Sequence, residues 1–319
     1  MPVIASSYQP PSPLRLGHLQ TVLPTLARRV PAPNYQRTSL NTPDGDFLDL
    51  YWASVGARRL AVICHGLEGD SQRAYVRGMA RAVNSAGWDV LAYNCRGCGG
   101  RPNRTPAFYH SGATGDLDLA VRAALARGYE SLALIGFSLG GNLIFKYLGE
   151  LGDQARTHIR AGVGFSVPCD LADSGRRMEL RQNRIYVARF LRLLRAKIRA
   201  KMKLVPGAMD DRGYGRIKNF RQFDDRYTAP LHGFTDALDY YRQASCRTFL
   251  GRIAVPALMV NALDDPLLGP GCFPWAEARA NPYFFLETPA HGGHVGFMAG
   301  GGRYWSEARA VEFLAGIAD

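Results

Sequence analysis

Ile135-Gly136-Phe137-Ser138-Leu139-Gly140-Gly141-Asn142 decides how this chain is read. The stretch carries the spacing G-x-S-x-G. The apolar run Leu132-Ala133-Leu134-Ile135 leads into it and Leu143-Ile144-Phe145-Lys146-Tyr147-Leu148 follows it. A buried strand turning into a helix through glycines that flank a serine is the setting of a nucleophile elbow. There the serine takes strained dihedrals with its hydroxyl exposed, and a Cβ on its small neighbours would strike the strand or the helix. The pentapeptide alone arises by chance in a chain with 35 glycines. The strand before it and the helix after it give it weight.

With 47% hydrophobic and 21% charged content, the 319 residues are enough for a sizeable core. An α/β chain of this length is often one domain. Met1 to Ser7 lack a basic start followed by an apolar core, so no signal peptide is expected. No apolar run approaches the roughly 20 residues of a spanning helix. Six scattered cysteines without framework spacing imply free thiols in a reducing compartment, and the cytoplasm is the expected location.

Residues 1–35 are proline-rich and read as an irregular arm, with a short helix around His18 to Arg28. Arg37–Asn41 and Phe47–Trp52, joined by Pro43-Asp44-Gly45-Asp46, read as an antiparallel hairpin. Strands then fall at Leu60–Cys64, Asp89–Asn94, Leu132–Ile135, Ala161–Val167, Ala257–Leu263 and Tyr283–Leu286, with helical stretches between most of them. That alternation implies a mostly parallel sheet of eight strands with the hairpin at one edge. The rhythm breaks at Asp170 and resumes at Thr235. The expected organisation is an α/β core over 36–170 and 233–319, with a helical cap inserted at 171–232.

A serine hydroxyl needs a base, and the base needs an orienting acid. In this architecture they follow in the order Ser, Asp or Glu, His, each in a loop after a later strand. The strand Ala257–Leu263 runs into Asp264-Asp265-Pro266, and Tyr283–Leu286 leads to His291-Gly292-Gly293-His294. Asp264 and Asp265 compete for the acid, His291 and His294 for the base, and pattern alone leaves both choices open. The oxyanion hole is expected from the N–H of Leu139 and from that of Leu67, in the loop His65-Gly66-Leu67-Glu68-Gly69.

These residues resemble the YheT-like branch of the α/β-hydrolase superfamily, which includes esterases, phospholipases and medium-chain acyltransferases. The resemblance is carried by Gly17-His18-Leu19-Gln20-Thr21, the His65–Gly69 loop, Asn94 to Gly100 and Tyr109-His110-Ser111-Gly112. It continues through the elbow, Asp224-Asp225, Asn261 to Pro266 and Gly292 to Phe297. It implies an α/β-hydrolase fold with a helical cap, and it places Ser138, Asp265 and His294 at the catalytic positions. The implied activity is hydrolysis of carboxylic esters with short-to-medium acyl chains through an acyl-enzyme, with no cofactor. Alcohol O-acyl transfer at the same site is the alternative, and a non-catalytic, membrane-peripheral binding protein is a third.

Cys95-x-x-Cys98 has no second half-site, so no metal or redox role is expected. His65 to Asp70 reads H-x₄-D, an acyltransferase pattern that the oxyanion-loop role of His65-Gly66 already explains. Lys146 reads as part of a solvated helix face and Arg96 as a loop brace. Between Arg176 and Lys203 eleven Lys or Arg face one acid, Glu179, so ten of the twelve net positive charges sit in one segment. Val187, Phe190, Leu191, Leu194 and Ile198 form a helical apolar stripe there, with Arg189, Arg192, Arg195, Lys197, Arg199, Lys201 and Lys203 around it. A lid over the acyl pocket with a solvated basic face is the expected reading. Attraction of residues 176–203 to an anionic membrane or to an acidic substrate comes second. Nucleic acid comes last, because no recognition motif accompanies the charge.

Overall fold

The computed structural model describes residues 2–317. In chain order the regular elements begin with β1 (Val3–Ile4), α1 (Gly17–Ala27), β2 (Gln36–Asn41), β3 (Phe47–Ala53), β4 (Arg59–Cys64) and α2 (Ala74–Ser85). Next come β5 (Asp89–Tyr93), α3 (Thr114–Ala126), β6 (Ser131–Phe137), α4 (Leu139–Leu151) and β7 (Ile159–Phe165). Helices α5 (Leu171–Met178), α6 (Arg184–Leu204), α7 (Phe220–Phe223), α8 (Ala229–His232) and α9 (Ala237–Ala244) follow without a strand among them. The chain closes with β8 (Ala257–Val260), α10 (Trp275–Ala280), β9 (Phe284–Glu287), the small pair β10 (Met298–Gly300) and β11 (Arg303–Tyr304), and α11 (Trp305–Ala315).

The main sheet has nine strands in the order β1-β9-β8-β7-β6-β4-β5-β3-β2. All pairings from β1 to β5 are parallel, and the hairpin β2–β3 joins β5 antiparallel. Each of the eight expected strands is present. The ninth is a correction: Val3 and Ile4 of the arm pair with Leu286 and Glu287. Two residues are too short to show a period of their own, and they form a strand only because β9 offers them an open edge. β8 ends at Val260, three residues earlier than expected. There the Asn261 N–H still donates to the Glu287 carbonyl, while its side chain bonds Val167 N–H and the carbonyls of Val167 and Cys272.

The central parallel strands β4 to β9 bury both faces, as a parallel sheet requires, whereas the edge strand β2 is largely exposed. Along β4, Leu60, Val62 and Cys64 enter one core and Ala61 and Ile63 the other. The stripe Val187, Leu191, Leu194 and Ile198 is buried with Phe108, Tyr214, Phe223, Tyr227 and Leu267 in a third cluster, and Phe190 packs against it. Among the described residues no helix is long and apolar enough to cross a membrane.

Charge misleads at three lysines. Lys146 is buried, pairs with Glu150 and lies over the Phe249 ring. Lys201 is fully buried, and its ammonium donates to the carbonyls of Asn103 and Thr105. Lys197 points inward as well, with consequences for the site. Arg96 does brace loops, through a paired bond to Asp116 and a contact with Asp44.

Candidate active site

The elbow begins with β6, whose end delivers Ser138 at φ 52°. An L residue tolerates that conformation only when its surroundings enforce it. The glycines make it feasible. A Cβ on Gly136 would run into the Gly140 carbonyl, and one on Gly140 would meet the carbonyl oxygens of Cys64 and His65. The strand, the turn and the loop after β4 thus touch backbone to backbone.

Ser138 Oγ lies 2.8 Å from His294 Nε2, and His294 Nδ1 lies 2.9 Å from Asp265 Oδ2. Asp265 is buried and its Oδ1 also accepts the Leu267 N–H at 2.8 Å. A carboxylate on Nδ1 fixes the ring proton there, which leaves Nε2 free to accept from the serine hydroxyl. Asp264 and His291, the competing residues, lie outside this chain of bonds and near each other, with His291 Nδ1 3.5 Å from Asp264 Oδ2. Asp264 Oδ1 accepts the Gly293 N–H, so this carboxylate shapes the histidine loop. Burial raises its pKa, against the opposing effects of the Gly293 N–H and His291.

The N–H groups of Leu67 and Leu139 have no hydrogen-bond partner among the described residues, and both residues line one cavity with Ser138 and His294. His65 is wholly buried: its Nε2 accepts the Cys95 N–H at 3.1 Å and its Nδ1 lies 2.7 Å from the Gly66 carbonyl. It locks the loop that carries Leu67.

Glu68, next in that loop, takes φ 52°. Its N–H donates to the Tyr109 hydroxyl at 2.7 Å, and that hydroxyl donates to Glu68 Oε1 at 2.8 Å. Lys197 of α6 reaches the same Oε1 at 2.9 Å and lies 3.2 Å from Cys98 Sγ. Burial works against the charge on Lys197. Cys98 and Glu68 outweigh it and hold the ammonium above the ordinary lysine value. Removing one partner of a buried pair strands the other. Lys197→Met is therefore expected to destabilise the fold by about 3–5 kcal/mol, read as a drop in Tm. The double variant Lys197→Met/Glu68→Gln should recover part of that loss.

Several bracing residues had no role assigned from sequence. Thr21 Oγ1 accepts the His294 N–H at 2.9 Å, and buried Gln20 accepts the Met298 N–H at 3.0 Å. A Cβ on Gly17 would collide with the Asp264 carbonyl. The motif Gly17–Thr21 thus seats the histidine loop from the far end of the chain. Ser166, at φ 54°, accepts the Val295 N–H at 2.9 Å. Asn142 donates to the carbonyls of Ser111 and Ala244. The only signal for Gln20, Thr21 and Asn142 was their place inside recognisable motifs, and Ser166, read only as part of a strand, had none.

The cavity at Ser138 has a volume of about 140 Å³. Leu67, Leu139, Pro168, Leu171, Met178, Phe190, Leu194, Phe223, Leu267 and Leu268 make it mostly apolar. On its polar side, Ser111, Asp224, Thr228, Tyr240 and Tyr241 bond one another. Thr228 and Tyr241 donate to Asp224 at 2.5 and 2.7 Å, and Tyr240 donates to Ser111 Oγ at 2.8 Å. Burial pushes the Asp224 carboxyl up to about 7, although Thr228 and Tyr241 pull the other way.

A family profile described as "alpha/beta hydrolase fold" matches residues 61–300. The chain belongs to the α/β-hydrolase family. Within this family it is 37% identical over 310 residues to YheT of Escherichia coli, a protein provisionally named an esterase, covering 93% of this chain and 89% of that one. It is 31% identical over 290 residues to the monoacylglycerol lipase of Saccharomyces cerevisiae, covering 88% of this chain and 63% of the yeast protein. The solved structure of the Pyrococcus furiosus esterase Pf2001 superposes with a TM-score of 0.60 at 18% identity, over 90% of this chain and 94% of that one. As in other α/β-hydrolases, the bond-linked serine, histidine and aspartate sit beyond the carboxyl ends of parallel strands, here β6, β9 and β8.

Proposed function

We propose that this chain hydrolyses carboxylic esters with short-to-medium acyl chains, and that Ser138, His294 and Asp265 form its catalytic triad. The observation that carries this is the unbroken path from Ser138 Oγ to His294 to Asp265, at 2.8 and 2.9 Å, opening into an apolar cavity. Ser138 Oγ bonds to the acyl carbon while its proton passes to His294 Nε2. The N–H groups of Leu67 and Leu139 receive the oxyanion, each such donor being worth about 10²–10³ in rate. Collapse breaks the ester C–O bond, and the leaving oxygen takes the proton from His294. Water then gives His294 a proton and attacks the acyl carbon, and collapse releases the acid and returns the proton to Ser138. Asp265 keeps the imidazole in the productive tautomer and stabilises its charged form. The esterase and lipase names of the relatives support this reading.

Residues 171–232 act in this reading as a cap that shapes the acyl cavity. Chain length is limited where the apolar lining gives way to the Asp224–Tyr241 cluster, because a longer chain would break bonds that are already made. With p-nitrophenyl esters of graded length, kcat/KM is expected to peak at short-to-medium acyl groups and collapse for long ones. Failure to turn over any ester in the series would overturn the reading. An acceptor alcohol in place of water would make the enzyme an acyltransferase. Ester formation outpacing hydrolysis at fixed alcohol concentration would establish that alternative.

A further inference from the structure

Ser138 and His294 stand where two spaces meet. One is the apolar cavity already described. The other is an open groove of about 860 Å³ between α1 and α6, which reaches the same two residues. In acyl transfer the leaving oxygen takes its proton from the histidine, so with the acyl chain in the apolar cavity the alcohol half of the ester starts beside His294 and extends into whatever other open space reaches it. The groove is the open space there.

Its charge is one-sided. Arg28, Arg29, Arg73, Arg77 and Arg189 line it, and Glu68 is the only acid among its described lining residues. Glu68 is already matched by Lys197. Arg28 is taken up by Glu307, and Arg77 donates to the Val30 carbonyl and to Gln72. Arg73 lies 3.6 Å from Asp70 and donates to the Glu68 carbonyl. Arg29 and Arg189 form no ion pair among the described residues. Partial burial, and then the charges of Arg73 and Arg192, lower the Arg189 pKa from the ordinary arginine value. Arg189 is exposed to the groove that also reaches Ser138, and its guanidinium has no carboxylate partner among the described residues. The planar fork of arginine fits a phosphate through paired hydrogen bonds.

We propose that this groove holds the alcohol half of the ester and that Arg189, with Arg73, recognises an anionic group on it, phosphate being the best match. This rests on the ester-hydrolase reading above. Val22, Leu26 and Ile185 along the groove are 39%, 75% and 74% exposed. That apolar rim beside the arginines suits an amphiphilic substrate.

The test compares 1-butyrylglycerol with 1-butyrylglycerol 3-phosphate, both kept in free solution. The wild type is expected to favour the phosphorylated ester. Arg189→Gln should lower the ratio of the two kcat/KM values by about tenfold or more. Arg160→Gln, an exposed arginine at the opposite end of β7, should leave the ratio unchanged. An equal ratio in wild type and Arg189→Gln overturns the proposal. So does a preference seen only with long-chain esters in anionic vesicles, which would make the arginines a membrane surface. Calorimetry with Ser138→Ala and the phosphorylated ester decides the groove even if neither ester is hydrolysed. Saturable binding that is lost in Ser138→Ala/Arg189→Gln supports it, and no binding overturns it.

Discussion

Replacing Ser138 with alanine is expected to lower kcat for p-nitrophenyl esters by about 10⁴–10⁶ while leaving the protein folded. Alanine keeps the Cβ, so the close approach that leaves no room for a side chain on Gly66 is unchanged, an added Cβ there coming within 3.2 Å of that carbon. The turn at φ 52° is enforced by the backbone contacts of Gly136 and Gly140, which do not involve the hydroxyl. Only Oγ and its 2.8 Å bond to His294 are lost. The unpartnered N–H groups of Leu67 and Leu139 would still polarise a bound ester, so residual turnover above the uncatalysed rate is expected. Steady-state kinetics with a thermal melt separates this from unfolding: activity should vanish with Tm nearly unchanged.

Asp265→Asn is expected to cost about 10⁴ in kcat, and Asp264→Asn less than about tenfold. The neighbours differ because of what each touches. Asp265 accepts from His294 Nδ1 at 2.9 Å, whereas Asp264 accepts from the Gly293 N–H at 2.9 Å. An asparagine at 265 can present its amide NH₂ to Nδ1. That stabilises the tautomer with the proton on Nε2, which cannot accept from Ser138. An asparagine at 264 still offers a carbonyl oxygen to Gly293. Kinetics of the two variants against the same ester check the assignment, and comparable losses from both would remove Asp265 from its role.

The serine was legible because its turn leaves a local signature of strand, glycines and helix. The choice between Asp264 and Asp265 was not legible from spacing. Adjacent residues in a loop point apart, and only the three-dimensional path shows which one meets the histidine. Lys197 and Lys201 read as solvated because charge is a poor guide where a helix crosses a polar loop. Their partners, Glu68 and the carbonyls of Asn103 and Thr105, lie far from them in sequence. The Gly17–Thr21 motif was visible, but its work was not, since Thr21 supports His294 across 273 positions. The strand Val3–Ile4 lay below any periodic signal for the same reason: its partner is β9. Local chemistry was written locally, and the braces that make it precise in space were not.

The most direct measurement is to treat the protein with an alkyl fluorophosphonate, digest it and locate the adduct by tandem mass spectrometry. A stoichiometric adduct on Ser138, absent in Ser138→Ala and formed much more slowly in His294→Ala, is the predicted result. An adduct on another residue, or continued ester hydrolysis with Ser138 unmodified, would contradict the assignment of Ser138 as nucleophile.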